Sequence, residues 1–232
     1  MSTTNICGNY LVDNDINYNF TENDFYIGQN YKDNVYIHSK FEAEKLIIEA
    51  EHNGLKANIF RLGNLMGRYS DGVFQKNKLS NAYFTRLLAL SKIGYLPQDL
   101  QDQNLEFSPI DNVSDAIIKL LCIPSLENKI FHIFSNKLIN MSMLLKVFED
   151  FNVHCEFTSY EQFIENLNKP ENEKFLKYII TDINSKKGFN YESGITVDSS
   201  ITDEFLNKIG FTWDTIDEDY LIKFFRATNF FK

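Results

Sequence analysis

The chain has 232 residues, 44% of them hydrophobic and 15% aromatic, enough for one large domain, or a domain with a small appendage, around a substantial core. A net charge of −9 argues against a nucleic-acid partner, and four prolines and ten glycines are too few for long disordered linkers. No run approaches the roughly 18 apolar residues of a membrane span, and the start, MSTTNICGNY, lacks the basic and apolar regions of a signal peptide, so a cytoplasmic protein without a membrane partner is expected.

In chain order, a short apolar segment around STTNICG is followed by a polar stretch, Asn9 to Asn34, that reads as an irregular loop. NVYIHSKFEAEKLIIEAEHNG predicts a helix with Asn34 as N-cap and Gly54 as its stop. LKANIFRLGN predicts a buried strand ending at Gly63, and residues 67–80 a loop. SNAYFTRLLALSKIG is a helix stopped by Gly94, LEFSPID a short strand, and DNVSDAIIKLLCI a helix that Asp111 could cap. NKIFHIFS and VHCEFTS are strands on either side of the helix MSMLLKVFEDF. From Tyr160 the chain reads as mostly helical, with helices at Tyr160–Leu167, Asn172–Thr181 and Ser200–Ile209 and from about Asp214 to Ala227. Strands alternating with helices over 34–157 point to an α/β domain with a largely parallel sheet (residues 1–157), followed by a helical subdomain (158–232).

Cys7, Cys122 and Cys155 are odd in number and without C-x-x-C spacing, so they read as buried free thiols rather than zinc ligands or disulfides. His132 in IFHIF reads as a satisfied core residue, His38 as packed or solvated, and Glu42, Glu44, Glu49 and Glu51 as a solvated helix face. The aromatic C-terminus, DYLIKFFRATNFFK, reads as ordinary helix packing.

Tyr36 and Lys40 stand four apart at the head of the first long helix, on one face and about 6 Å apart along its axis. A free tyrosine has a pKa of about 10. A neighbouring ammonium favours the phenolate and makes the phenol a usable general acid for a carbonyl becoming an alkoxide. Alone, Y-x-x-x-K is common on solvated helices. Here it lies between STTNICG and the strand segment RLGNLMGRYSDGVFQ, and Gly94–Tyr95–Leu96–Pro97, FSPIDNVSDAIIKL and KIFHIFS follow.

In this order the motifs resemble the extended short-chain dehydrogenase/reductases, and within them the thioester reductase family, the terminal reductase domains of nonribosomal peptide synthetases and carboxylic acid reductases. The resemblance covers roughly residues 1–140. It implies that Thr3, with Thr4 as the neighbouring candidate, hydrogen-bonds the substrate carbonyl. Tyr36 would be the proton donor, and Lys40 would tune it and hold the nicotinamide ribose hydroxyls. The turn Leu62–Gly63–Asn64–Leu65 would pass the nicotinamide carboxamide. Residues 158–232 would be the substrate side.

A dinucleotide site of this fold also needs a glycine-rich turn after its first strand, to receive the pyrophosphate at a helix N-terminus. No G-x-G-x-x-G or G-x-x-G-x-x-G occurs in these residues. The expectation is therefore the C-terminal half of a Rossmann-like reductase, a truncated or split domain, inactive alone and binding NADP (or NAD) only when the missing N-terminal half is supplied. The implied reaction is reductive release of an acyl or peptidyl thioester to aldehyde or alcohol. Its partners would be a carrier protein with a phosphopantetheine arm and the missing half or a larger synthetase. A nucleotide-sugar epimerase or dehydratase, and a non-catalytic remnant, are the alternatives.

Overall fold

A computed structural model describes residues 1–8, 17–179 and 194–231. The chain forms two compact units that interleave along the sequence. The first comprises Met1–Leu65, Asp111–Asn136 and Ser193–Trp213, the second Met66–Ile110, Lys137–Glu192 and Asp214–Lys232, so the residues beyond 158 are shared between them.

The first unit is built on a three-stranded parallel sheet with Asn58–Leu62 at its centre, Ser2–Thr3 on one side and Lys129–Ile133 on the other. Ser2 pairs with Arg61 and Thr3 with Leu62, while Asn58 to Leu62 run in register with Lys129 to Ile133. Side chains alternate along a strand. Phe60, Leu62, Phe131 and Ile133 accordingly join Val113, Ala116 and Leu120 of the Ile110–Leu121 helix, with Leu206, Phe211 and Trp213, in one core. A second cluster gathers Ile6, Cys7, Phe20 and Ile195 around Phe41 of the Val35–Glu51 helix. Burial pushes the Cys7 thiol up to about 12, the pKa of an inert packing group.

The second unit packs helices Ala82–Ile93, Met141–Glu149, Tyr160–Leu167, Glu173–Ile179 and Glu218–Thr228 around a core rich in phenylalanine, including Phe84, Phe107, Phe148, Phe163, Phe224 and Phe225. Its helix ends follow local chemistry. Asn81, Asn140 and Asp217 each cap a helix with a side-chain oxygen, and Ser159 and Gln162 form a reciprocal capping box. Gly94 ends Ala82–Ile93 in the left-handed conformation at φ 73°.

The architecture is the expected α/β class with parallel strands, and the expected helices and main strands are present to within a few residues. Several readings are corrected, and one lies partly outside the described residues. Tyr18–Phe20 lies inside the stretch read as irregular and pairs in parallel with Ile195–Val197, which lies inside the stretch read as helical. The end of the helix expected over Asn172–Thr181 lies outside the described residues. Asp111 sits within the first turn of its helix, which begins at Ile110, and its side-chain oxygen accepts the Asn112 N–H at 3.2 Å. Glu44 is buried, and Cys122 is exposed. His132 is a core residue, as read. Among the described residues no helix is long and apolar enough to cross a membrane, and no group of His, Cys, Asp and Glu is placed to hold a metal ion.

Candidate active site

Asn34 sets where the Tyr36 helix begins. Its side-chain oxygen accepts from the N–H groups of Tyr36 at 2.9 Å and Ile37 at 3.2 Å, which places Tyr36 in the first turn and Lys40 one turn on. The Lys40 Nζ lies 5.8 Å from the centre of the Tyr36 ring. Tyr36 is 53% exposed and Lys40 half-buried. Among the described residues neither the phenol oxygen nor the ammonium makes a hydrogen bond or ion pair, so both can take a partner from outside the protein.

Thr3 ends the edge strand opposite Leu62. Its hydroxyl oxygen accepts the N–H of Asn5 at 3.3 Å, which caps the short helical turn Thr4–Cys7. Among the described residues the hydroxyl proton of Thr3 has no acceptor. Thr4 instead donates its proton to the Leu62 carbonyl at 3.3 Å. Of the two threonines, Thr3 is the one that keeps a donor, although its side chain is buried. Gly63, Asn64 and Leu65 follow the central strand and are half-buried, with the Gly63 N–H held by the Ile133 carbonyl at 3.2 Å. The structure thus brings Tyr36 and Lys40 together on one helix, and Thr3, Leu62 and Gly63 together at one end of the sheet. Among the described residues no hydrogen bond joins Thr3 to Tyr36.

Beneath these groups lies a buried polar network that the sequence reading missed. The Arg61 guanidinium, fully buried, holds Glu44 with Nε at 3.2 and 3.0 Å from the two carboxylate oxygens and Nη2 at 2.8 Å from one of them. Arg61 Nη1 donates to the Asp24 carbonyl at 2.9 Å and meets His132 Nε2 at 3.1 Å. His132 Nδ1 lies 2.5 Å from the Asp198 carbonyl oxygen, so Nδ1 carries the proton and Nε2 accepts from Arg61. Burial, and then the Arg61 charge, lower the His132 pKa to about 4. The His132 N–H donates to Thr202 Oγ1 at 2.8 Å, and the Thr202 hydroxyl and N–H both donate to Glu22 at 2.7 and 2.8 Å. One signal was present in the sequence: an arginine inside an otherwise buried strand, NIFRL, requires a buried counter-charge.

A family model described as Male sterility protein (NAD_binding_4) matches residues 5–117. Over 115 residues the chain is 32% identical to glycine betaine reductase ATRR of Emericella nidulans, spanning 50% of this chain and 8% of that protein. Over 139 residues it is 24% identical to a linear gramicidin synthase polypeptide of Brevibacillus parabrevis, spanning 60% of this chain and 3% of that one. Among solved structures it superposes on a thiolation-reductase di-domain from an archaeal nonribosomal peptide synthetase with a TM-score of 0.85 and 30% identity, covering 98% of this chain and 48% of that one. The Aureusimine biosynthetic cluster reductase domain shares the fold, with a TM-score of 0.81 and 24% identity, covering 99% of this chain and 59% of that one. The chain therefore spans under a tenth of these curated relatives and about half of the di-domain structure. By fold and sequence the chain matches, over part of its length, the thioester reductase family, the terminal reductase domains of nonribosomal peptide synthetases.

Proposed function

We propose that these residues are the proton-transfer side of an NAD(P)H-dependent reductase that releases an acyl or peptidyl thioester from the phosphopantetheine arm of a carrier protein as an aldehyde or alcohol. The observation that carries this reading is the phenol of Tyr36 beside the ammonium of Lys40 in the first turns of one helix, neither with a partner among the described residues. The match to a thiolation-reductase di-domain supports the substrate class.

A reduced nicotinamide, when bound, supplies hydride to the thioester carbon. The chain's part is to manage the oxygen. The Thr3 hydroxyl donates a hydrogen bond to the carbonyl as negative charge gathers there. The Tyr36 phenol then gives it a proton, and the Lys40 ammonium stabilises the phenolate that remains. Collapse of the protonated adduct expels the thiol and leaves the aldehyde. The Lys40 ammonium, without a partner among the described residues, suits ribose hydroxyls, and by the resemblance the half-buried Gly63–Leu65 turn would lie beside the nicotinamide amide. These residues contain no glycine-rich turn, so the pyrophosphate end would be held by residues other than these.

Two measurements test the proposal. Calorimetry on the 232-residue chain alone should detect weak NADPH binding or none; tight binding would overturn the assignment of the pyrophosphate site. In the assembly that supplies that site, acyl-phosphopantetheine thioesters should be reduced and nucleotide sugars left unchanged. There Tyr36→Phe should lose a factor of about 100 to 10,000 in turnover. Wild-type rates in that variant would remove Tyr36 as the acid.

A further inference from the structure

Only two of the seventeen residues of the Val35–Glu51 helix are buried, Phe41 and Glu44. Phe41 stacks on Tyr31 with ring centres 3.7 Å apart and on Phe25 at 4.3 Å. Phe41 also meets Tyr26 edge-on with ring centres 6.1 Å apart. To this packing the Arg61 fork adds a directional hold, gripping both Glu44 oxygens through three hydrogen bonds. Glu44 also shares a stripe with the candidate catalytic pair: Tyr36, Lys40 and Glu44 are spaced by four, so each is turned only about 40° from the last and the stripe runs about 12 Å. At the other end of the grip, Arg61 adjoins Leu62, the register partner of Thr3. Arg61 is itself held from behind by the Asp24 carbonyl and His132.

We infer that Glu44 and Arg61 are positioning residues, the clamp that sets the rotation and axial register of the helix, and so the place of Tyr36 and Lys40 relative to Thr3. The catalytic consequence rests on the reductase reading above; the geometric claim does not.

The two features of Glu44, its length and its charge, separate positioning from mere stability. Glu44→Asp keeps the charge but is one methylene shorter, so the ion pair re-forms only if the helix moves. Glu44→Gln keeps the length and loses the charge. The 232-residue chain is labelled with 3-fluorotyrosine, and the Tyr36 fluorine resonance is assigned by its loss in Tyr36→Phe. In Glu44→Asp the Tyr36 resonance should shift while those of Tyr69, Tyr83 and Tyr220 in the other unit hold still. In the active assembly kcat should fall about 100-fold with KM within about twofold, the scale of a misplacement of about 1 Å. Glu44→Gln should lower Tm and leave the Tyr36 resonance where it was. An unmoved Tyr36 resonance in Glu44→Asp, or shifts in both variants that simply track their loss of Tm, overturns the inference. If Glu44→Gln does not fold, Glu44→Asp decides alone. If the wild-type assembly reduces no thioester, the functional proposal falls and the fluorine shift still decides the clamp.

Discussion

His132 is neutral because its surroundings leave it no alternative. One ring nitrogen gives its proton to the Asp198 carbonyl and the other accepts from Arg61, so a second proton would face a guanidinium in a site closed to water. The charges around it are Arg61, with Glu44 and Glu22 bound into the same network and Asp24 and Asp198 bordering it. Burial, with Arg61 second, lowers its pKa from 6.5 to about 4. The unfolded chain binds this proton more readily than the native one, so stability rises with pH across that interval. The contribution is complete above about pH 6.5 and is lost as pH falls toward about 4, at up to about 1.4 kcal/mol per pH unit. Urea denaturation between pH 4 and 7 should show this slope, and His132→Gln should flatten it. An unchanged slope in the variant would mean that other groups carry the acid sensitivity.

At the scale of elements, glycines at positive φ can be separated by what stands next to them. Gly72 has φ +73°, and a Cβ there would lie 2.6 Å from the Lys223 carbonyl oxygen and 2.8 Å from the Phe224 Cα, because the loop after Met66 packs directly on the Glu218–Thr228 helix. The loop is also tied to that helix by the Tyr220 hydroxyl on the Gly67 carbonyl at 2.9 Å and Lys223 Nζ on the Tyr69 carbonyl at 2.8 Å. Gly210 has a similar φ of +71° and open space around it. Gly210→Ala should therefore cost only the conformational term, about 1–2 kcal/mol, while Gly72→Ala adds an overpacking cost of about 1–3 kcal/mol. Equal losses in chemical denaturation would show that the loop yields to the helix. This contact also marks where sequence legibility ends. Helices such as Tyr160–Leu167 were readable because their caps and periodicity are local, and Tyr36 and Lys40 because four residues span one turn. Tyr18–Phe20 was not, since three residues in a polar stretch become a strand only when Ile195–Val197 arrives to pair with them. Glu44 was not, because its neighbours in sequence are those of a solvated face and its partner is delivered by another element. The part of the site that follows from helix geometry was legible; the part that depends on a buried charge finding its counter-charge was not.

Taken whole, the chain commits its ends to its beginning. Thr202 bonds Glu22 across 180 residues, and the same threonine accepts the backbone N–H of His132. Leu206, Phe211 and Trp213 complete the core that Phe60, Phe131 and Leu120 begin. A chain cut after residue 157 would keep the three-stranded sheet, Tyr36 and Lys40, yet lose the partner of Tyr18–Phe20, the hydrogen-bond partner of buried Glu22, and one wall of that core. In the second unit it would also lose Phe163, Leu167, Tyr220, Phe224 and Phe225. Each lost large aromatic or aliphatic side chain removes about 1.5–3 kcal/mol of burial, against a total stability of about 5–15 kcal/mol for a domain. For either unit the loss is comparable to its whole stability. The fragment 1–157 should therefore show no cooperative thermal transition and no near-ultraviolet circular dichroism, although it contains both candidate catalytic residues. Such distant pairings also carry a loop-closure cost that is met before any contact forms, so the full chain should fold slowly for its size. A fragment 1–157 that melts cooperatively would show that the sheet and the Tyr36 helix stand without the returning segment, and that the interleaved units are assembled from parts already stable by themselves.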